Sequence, residues 1–182
     1  MIFMDKIQLE KRLSGPLTKL KMAKLAELCK TEPSVVPNLL AISSHHQEPK
    51  IAFRAAWLLE SILLSSFPSA DDQLLFVKYY PLQKHNSCRR HYTNIMLLFV
   101  RKGHILTRSS LSDIIGQTAE WLIDKKTPVA VRANCIEILY YLRNEEDWIG
   151  GELKLQIELL LKDGSAALQS RGKKYLALLN QE

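Results

Sequence analysis

Long apolar runs are missing from this chain. No stretch approaches the roughly 18 residues that a bilayer-spanning helix needs, although 47% of the 182 residues are hydrophobic. Met1 to Leu13 has a mixed-charge pattern without the continuous apolar core of a secretory signal, so the expected location is cytoplasmic, with no membrane partner. Cysteine is scarce and odd in number: Cys29, Cys88 and Cys135, with no Cys-x-x-Cys pair. That excludes a disulfide framework and points to buried free thiols in a reducing compartment. Glycine and proline number only seven each and stand at the ends of periodic segments, where they punctuate helices rather than signal disorder. Catalytic signatures are absent as well. There is no Gly-x-Ser-x-Gly, no glycine-rich phosphate loop and no His-Glu-x-x-His, so nothing calls for an enzyme, a cofactor or a metal.

One further absence is local. Between Asp72 and Asp113 there is no acidic residue, while Lys78, Lys84, Arg89, Arg90, Arg101, Lys102 and Arg108 fall inside the interval. From Glu145 to Asp163 the balance reverses, with six acids against Lys154 and Lys162. A basic middle beside an acidic shoulder favours an anionic partner at the middle, or else a solvated basic hairpin.

What the chain does contain is a repeated helical pattern. Val131, Cys135, Ile138, Leu139 and Leu142 form one apolar stripe on a 3.6-residue period, with Pro128 suited to the first helical turn, Thr127 to the N-cap and Arg132 at the stripe's edge. Looser copies centre on Arg54, Arg90 and Arg171. Each follows a second periodic segment, giving a unit of roughly forty residues, a helical hairpin. Pro49 opens the copy around Arg54, whereas the copy around Arg90 lacks a proline and that around Arg171 has Gly172 where a good helix former is expected.

Pro-Val-Ala-Val-Arg-Ala-Asn-Cys at 128–135, with Pro49 to Trp57 as a looser version, resembles the second-helix signature of HEAT and armadillo-like repeats. The resemblance implies an all-α fold, a right-handed α–α superhelix of about five antiparallel helical hairpins. On that expectation residues 1–182 form a single domain, with a capping hairpin at 1–31 and repeats at 32–66, 67–104, 105–144 and 145–182. In such proteins the repeated arginine bonds an acid or carbonyl of a neighbouring repeat. The resemblance therefore implies a structural ladder of Arg54, Arg90, Arg132 and Arg171.

The same architecture implies a non-enzymatic module that binds a protein or peptide on its concave face. Arg89, Arg101, Lys102, Arg108 and Tyr141 are the residues expected to face that partner. Nucleic-acid binding through the basic middle repeat is the alternative, because HEAT-like DNA glycosylases resemble this chain in architecture and charge. Those enzymes combine aromatics with a carboxylate, and here Asp124 lies one turn after Trp121. His85-x-x-Cys88-x-x-His91 is the single metal-like cluster, more simply read as helix-start histidines beside a buried thiol. The sequence itself names no oligomeric state.

Overall fold

A computed structural model describes residues 5–65, 68–103 and 108–181, apart from the side chains of residues 108 and 109. Among the described residues there are ten helices and no strand. None of these helices is long and apolar enough to cross a membrane. The chain divides into two compact units, Met1–Ile95 and Met96–Glu182.

The first unit contains α1 (Lys6–Ser14), α2 (Lys19–Cys29), α3 (Val35–His45), α4 (Pro49–Ser65), α5 (Ala70–Tyr79) and the first part of α6 (Asn86–Arg101). Local chemistry sets where these helices start. Asp5 caps α1 by accepting from the Gln8 N–H at 2.8 Å. Thr18 caps α2, and Ser69 and Asp72 bond each other reciprocally at the start of α5. The bonds from the Gln8, Lys21 and Asp72 N–H groups satisfy donors that the first helical turn leaves without a partner. α4 begins at Pro49, whose missing N–H costs nothing there.

α4 packs on α3, with α1 against both, α2 on α4 and α5 on α3. Leu39, Leu40, Leu58 and Leu59 are fully buried, each stabilising the unit by about 1.5–3 kcal/mol. Among the polar groups taken inside is a phenol. The Tyr92 hydroxyl of α6 lies 2.8 Å from Ser43 Oγ and 3.1 Å from Ser44 Oγ, while its ring packs 5.4 Å from that of Phe76. The two serines allow a phenol to sit among leucines.

The second unit contains the rest of α6, then α7 (Arg108–Ile123), α8 (Val129–Tyr141), α9 (Asp147–Asp163) and α10 (Ala166–Leu179). α7, α9 and α10 all pack on α8. That explains one departure from the sequence reading. α8 is not a one-striped helix, because Ala133, Ile136 and Glu137 are buried along with Val131, Cys135, Ile138 and Leu139. A helix surrounded on several sides is buried nearly all round.

Two local expectations also change. Thr127 is not the cap of α8, a place taken by Pro128. The buried Thr127 hydroxyl instead donates to Asp124 Oδ2 at 3.2 Å. Gly172, unexpected in a helix, is explained by close approach: a Cβ there would stand 3.1 Å from Ile157 Cγ2 of α9. Gly103, at φ 64°, ends α6 in the left-handed conformation that favours glycine.

Candidate functional site

The site begins with a charge in an improbable place. Glu137 sits mid-way along α8 and is only 2% exposed, and an unpaired carboxylate so buried would be strongly destabilising. Arg101, at the end of α6, donates to Glu137 Oε1 through Nε at 2.8 Å and through a terminal nitrogen. Arg171, from α10, donates to Oε2. The Tyr175 hydroxyl completes the shell. Three helices of the second unit thus meet at one carboxylate.

Burial alone would raise the Glu137 carboxyl. The hydrogen bonds from Arg101 and Tyr175, with the charges of Arg101 and Arg171, outweigh it and hold the carboxyl below its ordinary value. Bonding to Glu137 in turn raises Arg101, and burial followed by Glu137 raises Tyr175. With both oxygens engaged and its proton gone, Glu137 is unsuited to act as a general acid or base. Its role is to orient two guanidinium groups.

Those guanidiniums border an aromatic cluster. The Tyr140 ring lies 5.0 Å from Tyr175 and 5.8 Å from Tyr141, and the Arg143 guanidinium stacks 4.2 Å over Tyr140. Lys174 adds a cation 5.1 Å from the Tyr175 ring. Arg101 and Tyr141 remain exposed at the surface of the cluster. The arrangement can present positive charge beside an aromatic face.

The other predicted residues sort by helical register. The buried positions Cys88, Tyr92, Ile95, Met96 and Phe99 of α6 match Val131, Cys135, Ile138, Leu139 and Leu142, and Leu168, Gly172 and Tyr175 of α10 follow the same spacing. In that register the residue after the first member is Arg89, Arg132 or Gln169. Arg89 Nε donates to the Gln83 carbonyl at 3.3 Å, Arg132 Nε to Leu122 at 2.8 Å and Gln169 Nε2 to Leu161 at 3.2 Å. Arg132 and Gln169 tie the second helix of a hairpin to the end of the helix before it, where carbonyls lack helical partners, and Arg89 ties α6 to the loop that follows α5. Arg54 ties α4 to the end of α1, donating to the Leu13 and Gly15 carbonyls at 2.6 and 2.7 Å.

Residues 9–178 match the family model of the HEAT repeat domain. The chain belongs to the HEAT repeat domain family. No curated protein and no solved structure matches it. Membership makes it a helical-repeat protein of the kind that serves as an interaction scaffold.

Within this HEAT repeat chain the expected ladder is redistributed. Arg90 is exposed and Arg89 takes the carbonyl contact instead, because Arg90 lies one residue, about 100°, out of register with the buried stripe. Arg171 donates to an acid of the preceding hairpin, Glu137, one of the two kinds of partner the resemblance implies. Of the residues expected to face a partner, Arg101 and Tyr141 come together and Lys102 lies exposed in the turn beyond. Arg108 opens α7, and its side chain lies outside the described ones.

The remaining candidates are placed apart. Trp121 is buried, and the Asp124 carboxylate accepts from the Lys126 N–H at 2.9 Å and from the Thr127 hydroxyl, fastening the α7–α8 turn. The two do not line an open cleft. His91 bonds Glu60, while burial pushes the Cys88 thiol up to about 11. Among the described residues no group of His, Cys, Asp and Glu is arranged to hold a metal. Glu137 escaped the sequence reading, although a lone carboxylate in an otherwise buried stretch was the signal available for it.

Proposed function

We propose that this HEAT repeat protein is a non-enzymatic interaction module holding an acidic protein or peptide segment. The segment lies where α6, α8 and α10 of the second unit bring Arg101, Tyr141 and Arg171 together. The observation that carries the reading is the pairing of Arg101 and Arg171 across Glu137, with Tyr141 exposed beside them. A buried glutamate placed only for stability would be outperformed by an apolar residue of similar size. Its value lies in fixing two arginine forks whose remaining N–H groups donate to a carboxylate of the partner. The neighbouring tyrosines supply rigid aromatic contact area at small entropic cost.

Selection from a displayed peptide library tests this. Acidic peptides with an aromatic or aliphatic neighbour are expected to be retained. Arg101→Ala and Tyr141→Ala should each weaken them about tenfold, or about 1.4 kcal/mol. Retention of no peptide, or retention by both variants equal to that of the wild type, would refute the assignment. Preferential retention of an oligonucleotide, lost in Arg101→Ala and Lys102→Ala, would transfer the site to nucleic acid.

A further inference from the structure

Two arginines meeting at one glutamate leave positive charge over. The Glu137 side chain is 3% exposed, whereas those of Arg101 and Arg171 are 50% and 34% exposed and reach the surface. Lys174 adds a third cation. It lies three residues after Arg171 on α10, the spacing that places two side chains side by side on a helix. Its ammonium stands 5.1 Å from the ring of Tyr175, whose hydroxyl bonds Glu137. Among the described residues Glu137 is the only acid paired with either arginine, and Lys174 has no acid partner. Three positive charges against one negative leave two to be matched from outside.

The donors left over suit one kind of anion. A guanidinium carries five N–H donors. Arg101 uses its Nε edge on Glu137 Oε1, and Arg171 uses one terminal nitrogen on Oε2. The opposite edge of Arg101 and most donors of Arg171 are without a partner among the described residues. An incoming carboxylate has two oxygens, which a single fork fills. A phosphate monoester has three terminal oxygens and a charge of about −1.5 to −2 at pH 7, so it can meet both forks and nearly cancel both charges. A phosphodiester, with one charge for each phosphate, cannot.

We propose that the acidic segment is recognised in a phosphorylated form, with a phosphoserine or phosphothreonine bridging Arg101 and Arg171 and Lys174 alongside. This rests on the acidic-segment reading and names the group the site prefers. Both forks lie at the surface, so a short phosphorylated side chain reaches them while the peptide backbone lies against the exposed Tyr141. Phosphorylation of the partner is then the switch for docking, since it adds the charge that two arginines on separate helices are held to receive.

Two labelled peptide pools test the proposal, identical except for a central phosphoserine or glutamate, with degenerate flanks that include acidic residues and no histidine. Fluorescence anisotropy with the full chain should show the phosphoserine pool bound at least about tenfold more tightly than the glutamate pool. Lowering the pH from about 7.5 to about 5 removes the second phosphate charge, whose pKa is about 6. The phosphoserine advantage should therefore shrink while glutamate binding holds. Lys174→Ala removes an exposed cation and leaves the hydrogen bonds of Glu137 in place. It should cut the advantage by about two- to fivefold, with circular dichroism confirming the fold. Equal binding of the two pools, an advantage indifferent to pH, or one unchanged in Lys174→Ala would overturn the phosphate assignment and leave the acidic-segment reading standing. Failure of both pools to bind would remove both readings. An oligonucleotide that displaces the phosphoserine pool at equal phosphate concentration would also overturn the assignment, because the cluster would then accept diesters as readily.

Discussion

At Glu137 a pH dependence follows directly from the site. Its folded carboxyl lies below the ordinary value of 4.5, so the folded state prefers the ionised form. That contribution is complete above about 4.5 and disappears as pH falls through the lower, folded value. Glu137→Gln keeps the shape and removes the charge. It should cost roughly 1–3 kcal/mol in denaturant unfolding at neutral pH, with the difference from wild type shrinking below 4.5. A difference constant with pH would mean the charge is not what stabilises. The thiols behave oppositely. Burial pushes Cys29 up to about 11, Arg12 opposing and Glu32 adding to it, and burial likewise pushes Cys88 up to about 11. A thiol reagent at mild alkaline pH should label both only as fast as the chain unfolds, because the thiolate is the reactive species. Immediate labelling of the native chain would contradict their placement.

Between helices, Arg54, Arg132 and Gln169 each fasten a second helix to the end of an earlier one. Arg132→Ala leaves the Leu122 carbonyl at the end of α7 without its charged donor and should cost about 1–3 kcal/mol. Arg90→Ala, at an exposed position, should stay within about 0.5 kcal/mol. Thermal or denaturant unfolding of the two variants checks the assignment, and equal losses would defeat it. The same pair indicates how far the sequence could be read. Helix pairing was legible because Pro49, Pro81, Gly103 and Gly164 interrupt periodic segments that each bury one face. Register was less so. Anchoring on a shared arginine aligned Arg90 with Arg132, whereas anchoring on the apolar stripe aligns Arg89. Half of the candidate site was visible, since Arg101 and Tyr141 are polar or aromatic residues at a helix end. The other half, Glu137 and Tyr175, depends on contacts 36 and 34 residues away in sequence from Glu137 to Arg101 and Arg171. Periodicity within one helix carries no information about such contacts. Gly172 was unreadable for a similar reason, its meaning residing in Ile157 of the neighbouring helix.

Over the whole molecule the net charge of +6 ensures some attraction to any polyanion, so mere binding to nucleic acid does not identify a partner. The decisive quantity is the number of phosphates neutralised. In the acid-free interval Arg89 is engaged with the Gln83 carbonyl, and Arg101 shares the charge of Glu137. A protein evolved to track a phosphate backbone would leave such guanidiniums pointing outward and uncompensated. Association with duplex DNA should therefore be weak and lack sequence preference. The logarithm of its affinity should fall with the logarithm of salt at a slope of only about −2 to −3, from two or three phosphates at about −0.9 each. Titrating a labelled duplex over a range of salt gives that slope. A value near −5 or steeper would require five or more simultaneous phosphate contacts. If replacing the basic side chains between Asp72 and Asp113 flattened that slope, the acidic-peptide reading would give way to nucleic acid.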